Sequence, residues 1–157
     1  MSGFWEHFDP TAVVLDLRAK DRDGILEELL GGLVAAKRLT RREGEKALTL
    51  FRKRETLGTT GIGGGVAIPH VRMPGLTRVV AALGLSREGI DYRAVDGAPV
   101  RAVFLIARPE AEEEDHLRFL RWASALARHR DFLRFALAVK DAEELLALLR
   151  ELGESPG

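Results

Sequence analysis

A chain of 157 residues is long enough for one well-buried core and too short for two comfortable domains. Hydrophobic residues make up 46% and charged residues 31%, and 24 basic side chains balance 24 acidic ones, which excludes a global attraction to nucleic acid or to an anionic membrane. There are no cysteines, so disulfides, thiolate metal sites and cysteine nucleophiles are excluded together. The opening MSGFWEHFDP has no basic segment followed by an apolar core, and the longest apolar runs fall far short of the ~20 residues that span a bilayer. A cytoplasmic protein with no direct membrane insertion is expected.

In chain order, AVVLDL over 12–17 is short and β-branched and predicts a strand. Asp21 then caps a helix whose Ile25, Leu26, Leu29, Leu30 and Leu33 recur at helical spacing, weakened at Gly31 and Gly32. Thr40 and Glu43 form a capping box. The helix they start turns Ala47, Leu48, Leu50 and Phe51 inward and holds Arg54 in its last turn. Next comes GTTGIGGG over 58–65, then Val66, Ala67 and Ile68 as a short strand ending at Pro69-His70, with a loop over 73–77. Strands over 79–85 and 101–107 follow, and the unbroken AVFLIA of the second implies burial on both faces. An edge strand over 90–92 and a turn at Asp96-Gly97 complete the middle.

The last third reads as helical. A helix over 112–128 carries Leu117, Leu120, Ala123, Leu126 and Ala127, a short one starts near Asp131, and Asp141 caps a final one bearing Leu145, Leu148, Leu149 and Leu152 before Gly153 stops it. Helices at both ends of a strand-rich middle predict the α/β class, a mixed sheet covered by helices in a single domain, with loose termini at 1–8 and 154–157.

The glycine-rich stretch invites a nucleotide, and the residues argue against one. A Walker loop needs Lys and Ser/Thr after its last glycine, where Gly64 and Gly65 stand, and the dinucleotide pattern needs a glycine where Val66 stands. Both motifs also run from strand to glycines to helix, whereas these glycines lead into a strand. What remains is a pliable loop feeding a rigid Ile68-Pro69-His70, because proline fixes its own φ and holds the preceding residue extended. A neutral imidazole at a strand end offers a nitrogen lone pair at pH 7 to a large partner. From spacing alone, the same histidine could equally serve a turn.

The stretch TTGIGGGVAIPH over 59–70 resembles the active-site segment of the EIIA domains of the bacterial phosphotransferase system, of the fructose/mannitol and nitrogen-regulatory type. Arg54-Glu55 lies upstream at the family's spacing, and His116 stands in Asp115-His116-Leu117 where the family carries a second histidine; the likeness spans about 9–153. It implies a three-layer α/β fold and a phosphohistidine relay: HPr or its nitrogen-type relative donates to His70, which passes the group to an EIIB cysteine or signals through its phosphorylation state. It implies Arg54 and His116 as groups that stabilise the phosphoryl charge, and neither metal nor other cofactor. Arg54 suits that role with its planar fork, although its place in Arg52-Lys53-Arg54 also fits a solvated helix end. His116 opens a helix, where amides and dipole favour an anion, although an amphipathic surface position fits as well. Thr59 and Thr60 could donate to the phosphoryl group or simply brace the loop.

Two positions depart from the family: Val71 follows the histidine where a small residue is common, and Gly64 stands for a common Asn. Other readings are weaker. Glu112–Asp115 beside His116 lacks metal-ligand spacing on one helix face, and acids are expected in a first turn. Arg118, Arg121, Arg128, Arg130 and Arg134 are interleaved with core aromatics, so a solvated helix edge is expected rather than a nucleic-acid surface. The competing reading is a non-relay regulatory module of the same fold that acts by binding another protein.

Overall fold

Local capping starts three of the helices in the computed structural model, which describes residues 3–154. Asp21 accepts from the Gly24 amide at 2.8 Å and opens α1 (Arg22–Ala35). Thr40 and Glu43 exchange both bonds of a capping box and open α2 (Arg41–Thr56). Asp141 accepts from the Glu144 amide at 2.8 Å ahead of α5 (Ala142–Glu154). The helix α3 (Glu113–Arg128) lacks a side-chain cap; Glu112 precedes it in the left-handed region at φ 64°. A short α4 (Phe132–Ala136) links α3 to α5.

The strands are β1 (Phe8–Val14), β2 (Gly61–Gly63), β3 (Val66–Ala67), β4 (His70–Arg72), β5 (Val80–Ile90) and β6 (Val100–Arg108). They form one mixed sheet in the order β1-β5-β6-β3-β2, with β4 also paired to β6. Strand β5 is antiparallel to β6, while β1 lies parallel to β5, and β3 and β4 lie parallel to β6.

Alternation along the two long strands builds the layers. Val103, Leu105 and Ala107 of β6, with Val80 and Ala82 of β5, pack under Ile25, Leu26, Leu29, Leu33, Ala47 and Phe51 of α1 and α2. Ala102, Phe104 and Ile106, with Ala81, Leu83 and Leu85, pack under Phe119, Trp122, Leu126, Phe132, Leu145 and Leu149 of α3, α4 and α5. Both faces are covered, as AVFLIA implied, and the result is a three-layer α/β fold in a single domain.

Several boundaries move. Residues 4–8 are not loose: Phe4–His7 forms a 3-10 turn, Phe4 stacks on Phe119 with ring centroids 5.4 Å apart, and Phe8 is buried at the start of β1. Gly3 stands at the cap of that turn and Glu154 is the last residue of α5, while the rest of the termini expected to be loose, at 1–2 and 155–157, lies outside the described residues. The edge strand expected over 90–92 is instead the end of β5 at Ile90, followed by Asp91 bridged to Asp21 and by Tyr92, which is wholly buried. Leu117 faces solvent at 48% exposure, and His116 takes the inward place on α3.

The strand expected over 66–68 divides in two. Val66 and Ala67 pair with Ala102 and Val103, and His70, Val71 and Arg72 pair with Ile106, Ala107 and Arg108 in the same register. Pro69 has no N–H to give the ladder, yet its carbonyl accepts from the Ile106 amide at 2.9 Å, so the pairing to β6 passes across the proline without a slip.

Candidate active site

His70 is the first residue of β4, half-buried at the end of a strand sewn to the middle of the sheet. Its Nδ1 lies 2.7 Å from the Ile68 carbonyl oxygen. A carbonyl only accepts, so Nδ1 carries the hydrogen and Nε2 keeps its lone pair. Burial, the largest influence, pulls the ring below its ordinary titration range. The Ile68 carbonyl and the Glu55 carboxylate pull the other way, and the Arg54 and Arg108 guanidinium groups lower it again. At neutral pH the ring is uncharged.

Arg54 reaches the same place from the last turn of α2, where its charge acts on His70. Its Nη1 donates to the Gly58 carbonyl at 2.8 Å, which ties the guanidinium to the start of the glycine loop. That bond uses one N–H of a five-donor fork. Arg54 is therefore no freely solvated helix end.

His116 comes from the opposite layer. Its ring centroid lies 6.2 Å from that of His70, with the planes inclined by 48°. It is buried rather than amphipathic, and its Nδ1 has no hydrogen-bond partner. Its amide already bonds the Glu112 carbonyl at 3.1 Å, so the free amides of the helix start belong to residues before it. The ring is pushed down to about 4, first by burial, then by the Arg108 charge and by His70. Burial beside a cation is what keeps the ring neutral at pH 7.

The two threonines separate. Thr60 is buried, its hydroxyl donates to Glu55 Oε2, and its amide donates to Glu55 Oε1 at 3.0 Å, so it braces the loop and is not turned to the histidine. Thr59 is half-buried; its Oγ1 accepts from the Gly61 amide at 3.0 Å and retains its own hydrogen for another acceptor.

Arg108 was missed in the sequence. It ends β6 directly after the doubly buried run, with its side chain only 13% exposed, its guanidinium donating to the Pro109 carbonyl at 3.1 Å and lying 3.9 Å from Glu113. Its charge bears on both His70 and His116. The available signal was a charged residue closing an otherwise apolar strand. Acidic Glu112 and Asp115 sit nearby but do not assemble: among the described residues no group of three His, Asp or Glu is placed to hold a metal ion. Among the same residues no helix is long and apolar enough to cross a membrane.

Taken together, a neutral histidine with one free ring nitrogen faces a second neutral histidine, with cationic forks on two sides. That arrangement can accept a phosphoryl group on nitrogen and stabilise its equatorial oxygens.

Comparison with known proteins points the same way. The model of the family described as phosphoenolpyruvate-dependent sugar phosphotransferase system, EIIA 2, matches residues 6–152. A nitrogen regulatory protein of Bradyrhizobium diazoefficiens is 33% identical over 140 residues, covering 89% of this chain and 90% of its own length. A fructose-specific EIIA component of the phosphotransferase system from Haloferax volcanii is 34% identical over 133 residues, covering 85% of each. The crystal structure of nitrogen regulatory protein IIA-Ntr from Neisseria meningitidis matches with a TM-score of 0.80 at 30% identity, covering 92% of this chain and 97% of the other. The three-layer fold, the stretch that ends in His70 and these matches lead to one statement: the chain belongs to the EIIA 2 family of the phosphoenolpyruvate-dependent sugar phosphotransferase system.

Proposed function

We propose that this protein is a cytoplasmic phosphocarrier that accepts a phosphoryl group on Nε2 of His70 from the phosphohistidine of HPr or a nitrogen-type HPr relative. The observation that carries the reading is the Nδ1 bond to the Ile68 carbonyl, which leaves Nε2 as the free nucleophile of a neutral ring. In the transfer, the Nε2 lone pair forms the new bond to phosphorus as the donor's nitrogen–phosphorus bond breaks and its electron pair returns to the donor ring. No proton need move, because Nδ1 keeps its hydrogen throughout. Arg54 supplies a preorganised fork for the equatorial oxygens, and neutral His116 donates one N–H to the phosphorylated form. In the second half of the relay, an EIIB cysteine thiolate attacks phosphorus and the electron pair returns to His70.

A regulatory output stands beside the relay because a nitrogen regulatory protein and a fructose-specific EIIA component match this chain at 33% and 34% identity. The two outputs differ in whether the group moves on to an acceptor or the phosphorylation state of His70 governs binding to a target.

Incubation with a phosphorylated HPr-type donor is expected to add one acid-labile, base-stable phosphoryl group, and His70→Ala to abolish it while leaving the far-ultraviolet circular dichroism unchanged. Labelling of the alanine variant at the wild-type rate would overturn the assignment.

A further inference from the structure

Glu55, a buried carboxylate whose charge acts on the reacting histidine, has no part in the scheme above. It follows Arg54 in the last turn of α2, and its side chain is 1% exposed. Its Oε1 accepts from the Thr60 amide at 3.0 Å and lies 3.9 Å from Nη1 of Arg22; its Oε2 accepts from the Thr60 hydroxyl and from the Tyr92 hydroxyl at 2.7 Å. Tyr92 is itself wholly buried, and burial, followed by the Glu55 charge, pushes its hydroxyl far above the ordinary range, so it stays a donor. One carboxylate thus ties together four segments: the start of α1, the end of α2, the entry to the glycine loop, and the segment after β5.

Such a buried anion is tolerated only where several donors meet it. A phenylalanine at 92 and an apolar residue at 60 would fill similar space without any charge, so close packing alone does not require this arrangement. What the carboxylate adds lies in its position. It is covalently adjacent to Arg54, whose guanidinium holds the Gly58 carbonyl, and it pins Thr60 two residues further on. Both ends of the segment 54–60 are thereby fixed, and with them the fork that faces His70.

Its sign matters as well. When Nε2 bonds to phosphorus while Nδ1 keeps its hydrogen, the ring takes on positive charge. The groups facing His70 are Arg54 and Glu55 from α2, Arg108 from β6 and His116 from α3; Glu55 is the anion among them. The cations favour the phosphoryl oxygens but oppose the ring charge, and the carboxylate offsets that opposition.

We propose that Glu55 is a positioning residue for phosphoryl transfer: through Thr60 and Tyr92 it fixes the Arg54 fork and the glycine loop, and its charge stabilises the cationic ring of phosphorylated His70. This rests on His70 being the phosphoryl acceptor.

The test compares wild type, Glu55→Gln, Tyr92→Phe and Thr60→Ala in single-turnover phosphorylation by a phosphorylated HPr-type donor, with the His70 ring titrated in parallel by heteronuclear NMR in the unphosphorylated proteins. Glu55→Gln is expected to slow acceptance on the order of ten- to a hundredfold and to move the His70 titration to lower pH, since a facing anion has been removed. Tyr92→Phe and Thr60→Ala keep the anion; they are expected to slow transfer by a smaller factor and leave the His70 titration in place. A Glu55→Gln protein that transfers at the wild-type rate with an unmoved titration overturns the proposal. If that variant does not fold, wild-type rates in both Tyr92→Phe and Thr60→Ala overturn it. Failure of wild type itself to become labelled would sink the acceptor reading, a result distinct from any difference among the variants.

Discussion

Arg54 approaches His70 from the α1–α2 layer and His116 from the α3–α5 layer, so removing either leaves the other in place. Arg54→Gln is expected to slow single-turnover phosphorylation by roughly 10²-fold, the common effect of losing one preorganised donor to developing oxyanion charge. Arg54→Lys is expected to recover only part of the rate, because a point charge cannot hold the Gly58 carbonyl and a phosphoryl oxygen with one planar fork. Equal rates for wild type and Arg54→Gln would assign Arg54 to the loop tether alone. For His116, buried and neutral, the expectation concerns the loaded protein. His116→Ala is expected to accept the group on His70 yet hold it less stably or pass it on more slowly, with His116→Gln intermediate because it retains an N–H. The measurement is the lifetime and onward-transfer rate of phosphorylated His70; indistinguishable values would return His116 to the core. The sequence carried His70, Arg54 and His116 because motif and spacing reach that far. It did not carry Arg108 or the Glu55–Tyr92 contact, because those depend on which strand end meets which helix, and neither has a local signature.

Among the elements, the helices were legible in the sequence because caps and apolar spacing are local. Asp21, Thr40 with Glu43, and Asp141 all stand where the sequence puts them. The short strands were less so: β2 and β3 have too few residues to show a period, and they exist because β3 pairs with β6 and β2 in turn pairs with β3. The glycine loop between them has its own logic. Gly64 sits at φ +68° in open space, and Gly65 at φ +83° with a Cβ position 2.7 Å from Leu133 Cδ1. Asn is the side chain that best tolerates the left-handed region, so Gly64→Asn, which restores the residue common in the family, is expected to stay within about 0.5 kcal/mol of wild type. Gly65→Ala combines backbone strain with a contact against Leu133 and is expected to destabilise by about 1–3 kcal/mol. Urea midpoints of the two variants check both values, and equal midpoints would mean that the loop relaxes around the added Cβ.

For the molecule as a whole, His7, His70 and His116 are all held below the ordinary imidazole range, each with burial as the first cause. The unfolded chain therefore binds protons on these rings at a higher pH than the folded one. Above the unfolded value near 6.5 both states are neutral and the stabilisation is fully present. As pH falls toward about 4, where His116 titrates in the fold, the unfolded state gains protons first and stability is lost, at up to about 1.4 kcal/mol per pH unit for each proton separating the states. Denaturant unfolding across that window is expected to show the decline, and His116→Ala to show a shallower one on its own baseline. An unchanged slope would mean that His116 is as easily protonated in the fold as out of it.

The unslipped pairing across Pro69 also governs which changes in chain length the protein can inherit. Ile68 packs in the α3–α5 layer and Ala67 and Val71 in the α1–α2 layer, so each successive residue of this strand belongs to the opposite face. Inserting or deleting one residue between Ala67 and His70 would carry the imidazole to the wrong side of the sheet, away from His116, and would exchange the burial of every neighbour with it. An added residue at Gly64 would leave the pairing to β6 in register, while lengthening the turn that closes β2 on β3. Lineages of this protein should therefore keep a fixed count from Val66 to Arg72.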